Sequence, residues 1–159
     1  MKVLVAYYSR SGVTRTAAGD IAARLGADIE EIIDNKPRRG AIGWLIAGKD
    51  ASLKRPTEIA PPAKDPAAYD LVILGTPVWA FTMAPAVRTY IARHAGAFRK
   101  LAFFCTMGGS GDKKTFQHMA DLSGLSPMAT LALIEKDVRS GKCGEQVEGF
   151  VARLQERNP

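Results

Sequence analysis

The sequence predicts an α/β fold with a mainly parallel sheet and helices on both faces. Three short, continuous apolar runs, residues 3–8, 71–75 and 101–105, have the length and composition of strands that are buried on both sides. A turn and then apolar residues at helical spacing follow each run, and this alternation is typical of parallel sheets. The 159 residues suit a single domain, in which residues 34–69 form an irregular insertion.

The first strand leads into a turn rich in hydroxyl groups, residues 9–14. Apolar residues four apart, from Val13 to Leu25, then predict one buried face of a helix that ends at Gly26. A strand, a turn of small residues and a helix together present backbone N–H groups to a phosphate. A turn that only caps the helix is the alternative.

A second strand over residues 27–33 has acidic residues between its isoleucines, which predicts a half-exposed position at the sheet edge. The insertion that follows is basic. Residues 34–64 contain seven lysines and arginines and only three acidic residues, so four of the six net positive charges of the chain lie there. Residues 41–53 predict a short helix. The insertion could cover one end of the sheet, or act as a lid or a contact for a second protomer.

The rest of the chain continues the same alternation. A helix from Pro85 to Ala95 follows the third strand, and a helix from Asp112, expected as its cap, to Ser123 follows the fourth. Residues 129–134 are the fifth strand. The last helix has an apolar inner face made of Val147, Phe150, Val151 and Leu154.

Composition and motifs exclude several classes of function. No apolar run approaches the roughly 20 residues of a membrane span, and the chain enters its first strand directly, so we expect a cytoplasmic protein. No nucleic-acid-binding motif accompanies the basic segment. Neither the Walker phosphate loop nor the dinucleotide fingerprint is present after the first strand, and no residue cluster has metal-ligand spacing.

The remaining reactive residues predict structural roles. His94 and His118 fall within predicted helices, which favours packing or surface positions over catalysis. Cys105 and Cys143 are too few for a disulfide framework, so we expect structural thiols, with a redox pair as the alternative.

Three loops with unusual composition follow the carboxyl ends of apolar strands: residues 9–14, 76–81 and 106–111. Ligands of open α/β sheets bind at that edge, where the strand order reverses. The first loop offers hydroxyls and amides, the second offers Pro77 and Trp79, and the third offers mainly backbone. We therefore expect a site with an anion at one end and a flat aromatic group at the other.

The run from Tyr7 to Ile21 resembles the flavodoxin signature, with matches at Tyr7, Ser9, Gly12, Thr14, Ala18 and Ile21 and a departure at Ala6, where a larger apolar residue is usual. The resemblance extends over nearly the whole chain. It implies a flavodoxin-like three-layer sandwich, with a five-stranded parallel sheet of order 2-1-3-4-5, that holds FMN.

The resemblance also implies which residues hold the cofactor. The hydroxyls of Ser9, Ser11 and Thr14 would donate to the FMN phosphate, together with the amides of residues 10–14. Trp79 would lie against the isoalloxazine, with a role in the core as the alternative, and the glycines of the third loop would let amides approach the ring. The implied cofactor-binding residues are Ser9, Arg10, Ser11, Gly12, Val13, Thr14, Thr76, Pro77, Val78, Trp79, Ala80, Thr106, Met107, Gly108 and Gly109.

Two departures from the family pattern bear on the activity. Flavodoxins that shuttle single electrons are typically acidic, with a glycine in the first flavin loop, whereas this chain is basic and residues 76–80 lack glycine. Both departures favour a small FMN-dependent oxidoreductase that passes electrons from NAD(P)H to a quinone-like or protein acceptor. An electron-transfer shuttle and a flavin-free binding scaffold are the alternatives. The expected partners are a redox protein, or NAD(P)H and a small acceptor, with a homodimer left open.

Overall fold

A computed structural model, which describes residues 1–36, 45 and 57–157, contains one sheet between two layers of helices. Its strands are β1 (Val3–Tyr7), β2 (Asp28–Glu31), β3 (Leu71–Trp79), β4 (Thr82–Met83), β5 (Leu101–Met107) and β6 (Thr130–Ile134). Its helices are α1 (Val13–Leu25), α2 (Pro85–His94), α3 (Asp112–Ser123), α4 (Glu135–Arg139) and α5 (Gly144–Glu156).

The sheet has the order β2-β1-β3-β5-β6 with parallel pairing throughout, and the short β4 pairs antiparallel with the end of β3. Because β5 and β6 are the fourth and fifth predicted strands, the predicted order 2-1-3-4-5 is confirmed. The edge position predicted for the second strand is confirmed as well. The sequence did not predict β4.

Alternate residues along the central strands point into two separate cores, as strand geometry requires. On one face, Val5, Ile73 and Phe104 pack with α1 and α5. On the other face, Leu74 and Phe103 pack with α2 and α3. The continuous apolar runs arise from this arrangement, because a central strand of a parallel sheet has no solvent face.

One glycine in the sheet is required by packing. The Phe104 ring occupies the space where a side chain of Gly75 would lie, since a Cβ there would be 2.0 Å from the ring. The two residues pair directly across β3 and β5, so the larger residue fills both positions. This contact holds together the two strands that carry the second and third loops.

The helix boundaries agree with the prediction apart from three points. The helix expected from Pro85 to Ala95 ends at His94, followed by a short 3-10 turn. Asp112 is the first residue of α3, so the expectation that it caps the helix was wrong. Gly111 is the N-cap instead, and its φ of 105° is a backbone conformation that glycine adopts without steric strain. The five-residue α4 was not predicted.

Only the ends of the insertion belong to the described residues. Ile59 forms an antiparallel bridge with Asp34, beyond the end of β2. The Thr89 hydroxyl of α2 donates to the Thr57 carbonyl and accepts from the Thr57 amide, at 2.7 and 3.0 Å. The helix predicted over residues 41–53 lies outside the described residues, apart from Leu45.

Candidate functional site

The three predicted loops meet at one edge of the sheet. β1, β3 and β5 are neighbours, with Tyr7 opposite Gly75 and Pro77 opposite Thr106. The strand order reverses between β1 and β3, which is where open α/β sheets bind ligands. We call residues 9–14, 76–81 and 106–111 the three-loop site.

A hydrogen bond to the Ser9 side chain closes the first loop, and the start of α1 is left open. The Ser9 hydroxyl oxygen accepts from the Gly12 amide at 3.0 Å, and Gly12 has a φ of 95°, which favours glycine. Among the described residues, no side chain caps α1. Ser11 is exposed and Arg10 is half-buried beside this turn. The first amides of α1, from Val13 onward, can therefore donate to a bound anion.

A buried hydroxyl pair joins the first loop to the third. Thr14 is 2% exposed and its Oγ1 lies 2.8 Å from Oγ1 of Thr106, which is fully buried. One hydroxyl donates to the other, so the accepting threonine still has a proton to give to a further acceptor. The sequence predicted a phosphate contact for Thr14 but did not predict this pair, because residues 92 positions apart give no local signal.

Two arginines, Arg15 and Arg139, lie near the first loop. Arg15 forms an ion pair with Glu31 of β2 at 2.5 Å, and this contact raises the pKa of the guanidinium. An open groove of about 520 Å³ beside Ser11 and Gly12 is also lined by Arg139 of α4. Sequence reasoning missed Arg139, although its place shortly after the carboxyl end of β6 was a usable signal.

The second loop is more regular than expected, because β3 continues through it to Trp79. The Thr76 hydroxyl is buried, donates to the Pro77 carbonyl at 2.8 Å and accepts from the Ala84 amide at 3.0 Å. This hydroxyl therefore fixes the path of the chain from β3 to α2. The Thr76 hydroxyl is therefore not available to a ligand.

A two-residue turn connects β3 to β4. Ala80 and Phe81 both have positive φ, 48° and 62°, the signs of a type I′ hairpin turn. Such backbone is costly for residues with a side chain and concentrates at functional positions. The Phe81 ring is 57% exposed there.

The turn packs against the start of α3. A Cβ on Gly111 would lie 2.7 Å from Cγ1 of Val78 and 3.3 Å from the ring of Phe81. Glycine at position 111 thus brings the second and third loops into contact.

Trp79 is half-buried at the end of β3. Its ring meets the Tyr8 ring edge to face, with centroids 5.4 Å apart, and packs on the core beneath α2 and α3. Trp79 therefore contributes to the core and also remains partly accessible at the three-loop site. The structure shows the core contact, and the contact of Trp79 with a flavin ring stays a prediction.

The glycines of the third loop differ from Gly111. Gly108 and Gly109 are exposed, and a Cβ on either would meet no atom of the chain within 4 Å. Neither packing nor a positive φ requires glycine at these positions. Their small size is explained if a ligand lies against the backbone, a use that glycine serves in binding sites. Met107, just before them, is buried.

The histidines and cysteines are placed as structural residues. The His94 ring packs 4.7 Å from Tyr90, and His118 contacts Thr82. Both cysteines are free and buried, and burial raises the pKa of the Cys105 thiol to about 12. Strand alternation puts Cys105 on the face of Leu101 and Phe103, whereas Cys143 belongs to the other core. The sheet separates them, which argues against a disulfide between them.

The described part of the chain contains no group of side chains suited to hold a metal ion. Within the same residues, no helix is both long and apolar enough to cross a membrane.

Comparisons with known proteins agree with this geometry. The family model described as flavodoxin matches residues 2–131. A flavoprotein from Lactobacillus acidophilus NCFM, solved in complex with FMN, is 24% identical with a TM-score of 0.72; the match covers 87% of this chain and 97% of that one.

Two flavodoxins also match, each over 99% of both chains. One, from Fusobacterium nucleatum and bound to flavin mononucleotide, has a TM-score of 0.62 at 11% identity. The other, oxidised flavodoxin 2 from Bacillus cereus, has a TM-score of 0.56 at 19% identity. No curated protein matches this chain.

Proposed function

Because this chain belongs to the flavodoxin family, we propose that it binds FMN at the three-loop site and transfers electrons through it. The observation that carries the proposal is the room left at both ends of the site. The N-terminus of α1 is open to an anion, and the backbone at Gly108 and Gly109 is open to a flat group. A flavin mononucleotide has a phosphate at one end and a planar ring at the other.

The residues present fit this cofactor. The amides of residues 10, 11, 13 and 14, with the hydroxyls of Ser9, Ser11 and Thr14, would hold the phosphate at the positive end of α1. The Gly12 amide, which the resemblance also implies, already donates to Ser9. Trp79 would lie against the ring, and the backbone of residues 76–80 and 106–109 would contact its polar edge. Bound FMN supplies the electron-transfer chemistry, so the chain needs to contribute binding, orientation and the exclusion of water.

We further propose that the protein is a small oxidoreductase that takes electrons from NAD(P)H and passes them to a quinone-like or protein acceptor. Flavodoxins that shuttle single electrons flip a peptide of this loop when the flavin is reduced. The hydrogen bonds of Thr76 support an oxidoreductase instead, because a buried hydroxyl fixes the loop against such a flip. The net charge of +6 and Arg139 beside the first loop also support it, because positive charge favours a reduced, anionic flavin.

Anaerobic stopped-flow mixing of the FMN-loaded protein with NADPH, and separately with NADH, tests this function. An oxidoreductase loses its visible flavin absorbance with one of these donors alone, at a rate that saturates with donor concentration. A shuttle would be reduced only after a flavodoxin reductase is added. If the chain binds no FMN on reconstitution, the flavin-free binding scaffold is the remaining hypothesis. Either result contradicts the proposed oxidoreductase.

A further inference from the structure

A partly buried arginine of α2 is hydrogen-bonded to the hairpin that carries Trp79. Arg88, in the first turns of α2, is half-buried and its guanidinium donates to the Thr82 hydroxyl oxygen at 3.0 Å. Among residues 1–36 and 57–157, no carboxylate lies within ion-pair distance of Arg88. Burial lowers the pKa of this guanidinium, the direction expected of a cation that has lost water and gained no negative neighbour.

The partner of Arg88 is a buried hydroxyl that also contacts a histidine. Thr82 is 2% exposed, and its Oγ1 lies 2.8 Å from Nδ1 of His118 on α3. The same oxygen thus takes part in two hydrogen bonds, one from Arg88 and one shared with His118. Arg88 is thus oriented by the Thr82 hydroxyl, which is not a carboxylate and does not compensate its charge.

The helix terminus adds positive potential at the same place. α2 begins at Pro85, and its N-cap Ala84 provides no side-chain oxygen. The Arg88 side chain reaches from the helix to Thr82, a residue before this N-terminus, where the helix dipole is positive and a cation is unfavourable. Such a position is stabilised by a negative group, and the planar fork of arginine is suited to an oxyanion.

Arg88, Thr82 and His118 lie beside the proposed flavin site. Thr82 pairs directly with Trp79 across the hairpin, and directly paired residues of antiparallel strands point to the same face. The Thr76 hydroxyl joins this hairpin to Ala84 at the start of α2. A molecule that meets the flavin ring next to Trp79 could therefore reach Arg88 with a second group.

We propose that Arg88, oriented by Thr82 and His118, binds an oxyanion, a carboxylate or a phosphate, carried by the small molecule that exchanges electrons at the three-loop site. The assignment of this anion to a redox substrate rests on the proposed function, whereas anion binding at Arg88 does not.

Titration of the FMN-loaded, 15N-labelled protein with sodium phosphate, and separately with sodium acetate, tests the site directly. Ionic strength is held constant with sodium chloride, and NMR follows the Arg88 Nε–H and His118 ring signals. We expect both signals to shift with saturation for one or both anions. The two titrations distinguish a phosphate site from a carboxylate site. Shifts that are linear in concentration, or the same in chloride alone, would overturn the proposal.

Arg88→Met should abolish the saturable shift of His118, and Arg88→Lys should weaken it by at least about tenfold, because lysine keeps the charge but not the fork. Arg93→Met, on an exposed position of the same helix, is the matched control and should leave it unchanged. An equal loss in the Arg93 variant would contradict a specific site. If Arg88→Met does not fold, the lysine variant and the unmodified protein still decide the question.

A kinetic comparison then tests the link to redox chemistry. With a sulfonated naphthoquinone as acceptor, Arg88→Lys should raise KM by about tenfold, and with the neutral naphthoquinone KM should not change. Equal effects on both acceptors would overturn the substrate assignment. An inactive protein that still binds phosphate at Arg88 would instead contradict the proposed oxidoreductase function and leave the anion site standing.

Discussion

At the residue scale, the Thr14–Thr106 pair is the feature that bears most directly on the proposed phosphate contact. Both hydroxyls are buried at the sheet edge, 2.8 Å apart. A pair of hydroxyls uses one proton internally and has one left, so the pair is a donor toward an anion at the start of α1. The same pair links the start of α1 with β5.

Thr14→Val should therefore weaken FMN binding by about 1–3 kcal/mol, since valine has the same shape without the hydroxyl. The variant should also be less stable by a similar amount without FMN, because the Thr106 hydroxyl is left buried and unpaired. Quenching of FMN fluorescence and urea unfolding measure the two effects. Thr130→Val, at an exposed position of β6, is the control. Unchanged FMN affinity would remove Thr14 from the site.

The glycines of the third loop provide a second test. Gly108→Ala and Gly109→Ala should leave the stability of the FMN-free protein within about 0.5 kcal/mol, because nothing in the chain lies where the methyl group would be. The same variants should bind FMN more weakly. Gly111→Ala should instead destabilise the free protein by about 1–3 kcal/mol, since its φ is 105° and Val78 is too close. Full FMN affinity in both of the first two variants would contradict a backbone contact.

The sequence allows Ser9, Gly12 and the glycines of the third loop to be predicted as site residues, because each lies in a recognisable local pattern. Their contact with FMN stays a prediction. It could not show that the Thr76 hydroxyl is already used by Pro77 and Ala84. It also gave no sign of Arg88, which is connected to the three-loop site only through its hydrogen bond to Thr82 of the β3–β4 hairpin.

At the element scale, the hairpin after β3 is the main feature that local rules miss. Proline usually stops a strand, but Pro77 sits where β1 has already ended at Tyr7, so no neighbour on that side needs its N–H. Ala80 and Phe81 do not resemble the Asn-Gly sequence typical of a type I′ turn. Packing against Gly111 compensates for that backbone, and the sequence alone does not show such compensation.

The edge strand β2 is held by side chains as well as by pairing with β1. The Tyr69 phenol donates to the Asp28 carboxylate at 2.7 Å, which raises the pKa of Tyr69 from 10.0 to about 12. The Glu30 carboxylate accepts from the amides of Ala63 and Lys64 at 2.8 and 2.9 Å. These contacts attach the returning end of the insertion to the sheet edge.

The Tyr69–Asp28 contact predicts a dependence of stability on pH. The phenol loses its proton near pH 10 in the unfolded chain and near pH 12 in the folded one, so this stabilisation is complete below pH 10 and is lost as the pH rises to 12. Tyr69→Phe should be less stable than the unmodified protein below pH 10, and the difference should shrink toward pH 12. Urea unfolding at several pH values measures it.

Asp28→Asn serves as the control for this contact, because it removes the negative charge that opposes ionisation of the phenol. An ultraviolet absorbance titration should then place the Tyr69 pKa closer to 10. A Tyr69 pKa that is the same in both proteins would contradict the assigned cause.

At the scale of the whole molecule, a parallel sheet between helices could be predicted because the central strands are short, apolar and followed by helices, whereas the strand order came from the resemblance to flavodoxins. Topology then decides the place of the site, since parallel strands that reverse order between β1 and β3 bring three distant loops to one edge. The net positive charge and the proposed oxyanion site at Arg88 are the features that bear on the choice of substrate. They favour an anionic small molecule as the redox partner.

The comparison of FMN with riboflavin tests the central claim most directly, because the two flavins differ only in the phosphate. We expect the protein to bind one equivalent of FMN at least about 100-fold more tightly than riboflavin, with the difference reduced in Thr14→Val. Equal affinity for the two flavins, or a difference that Thr14→Val leaves unchanged, would contradict a phosphate site at the start of α1.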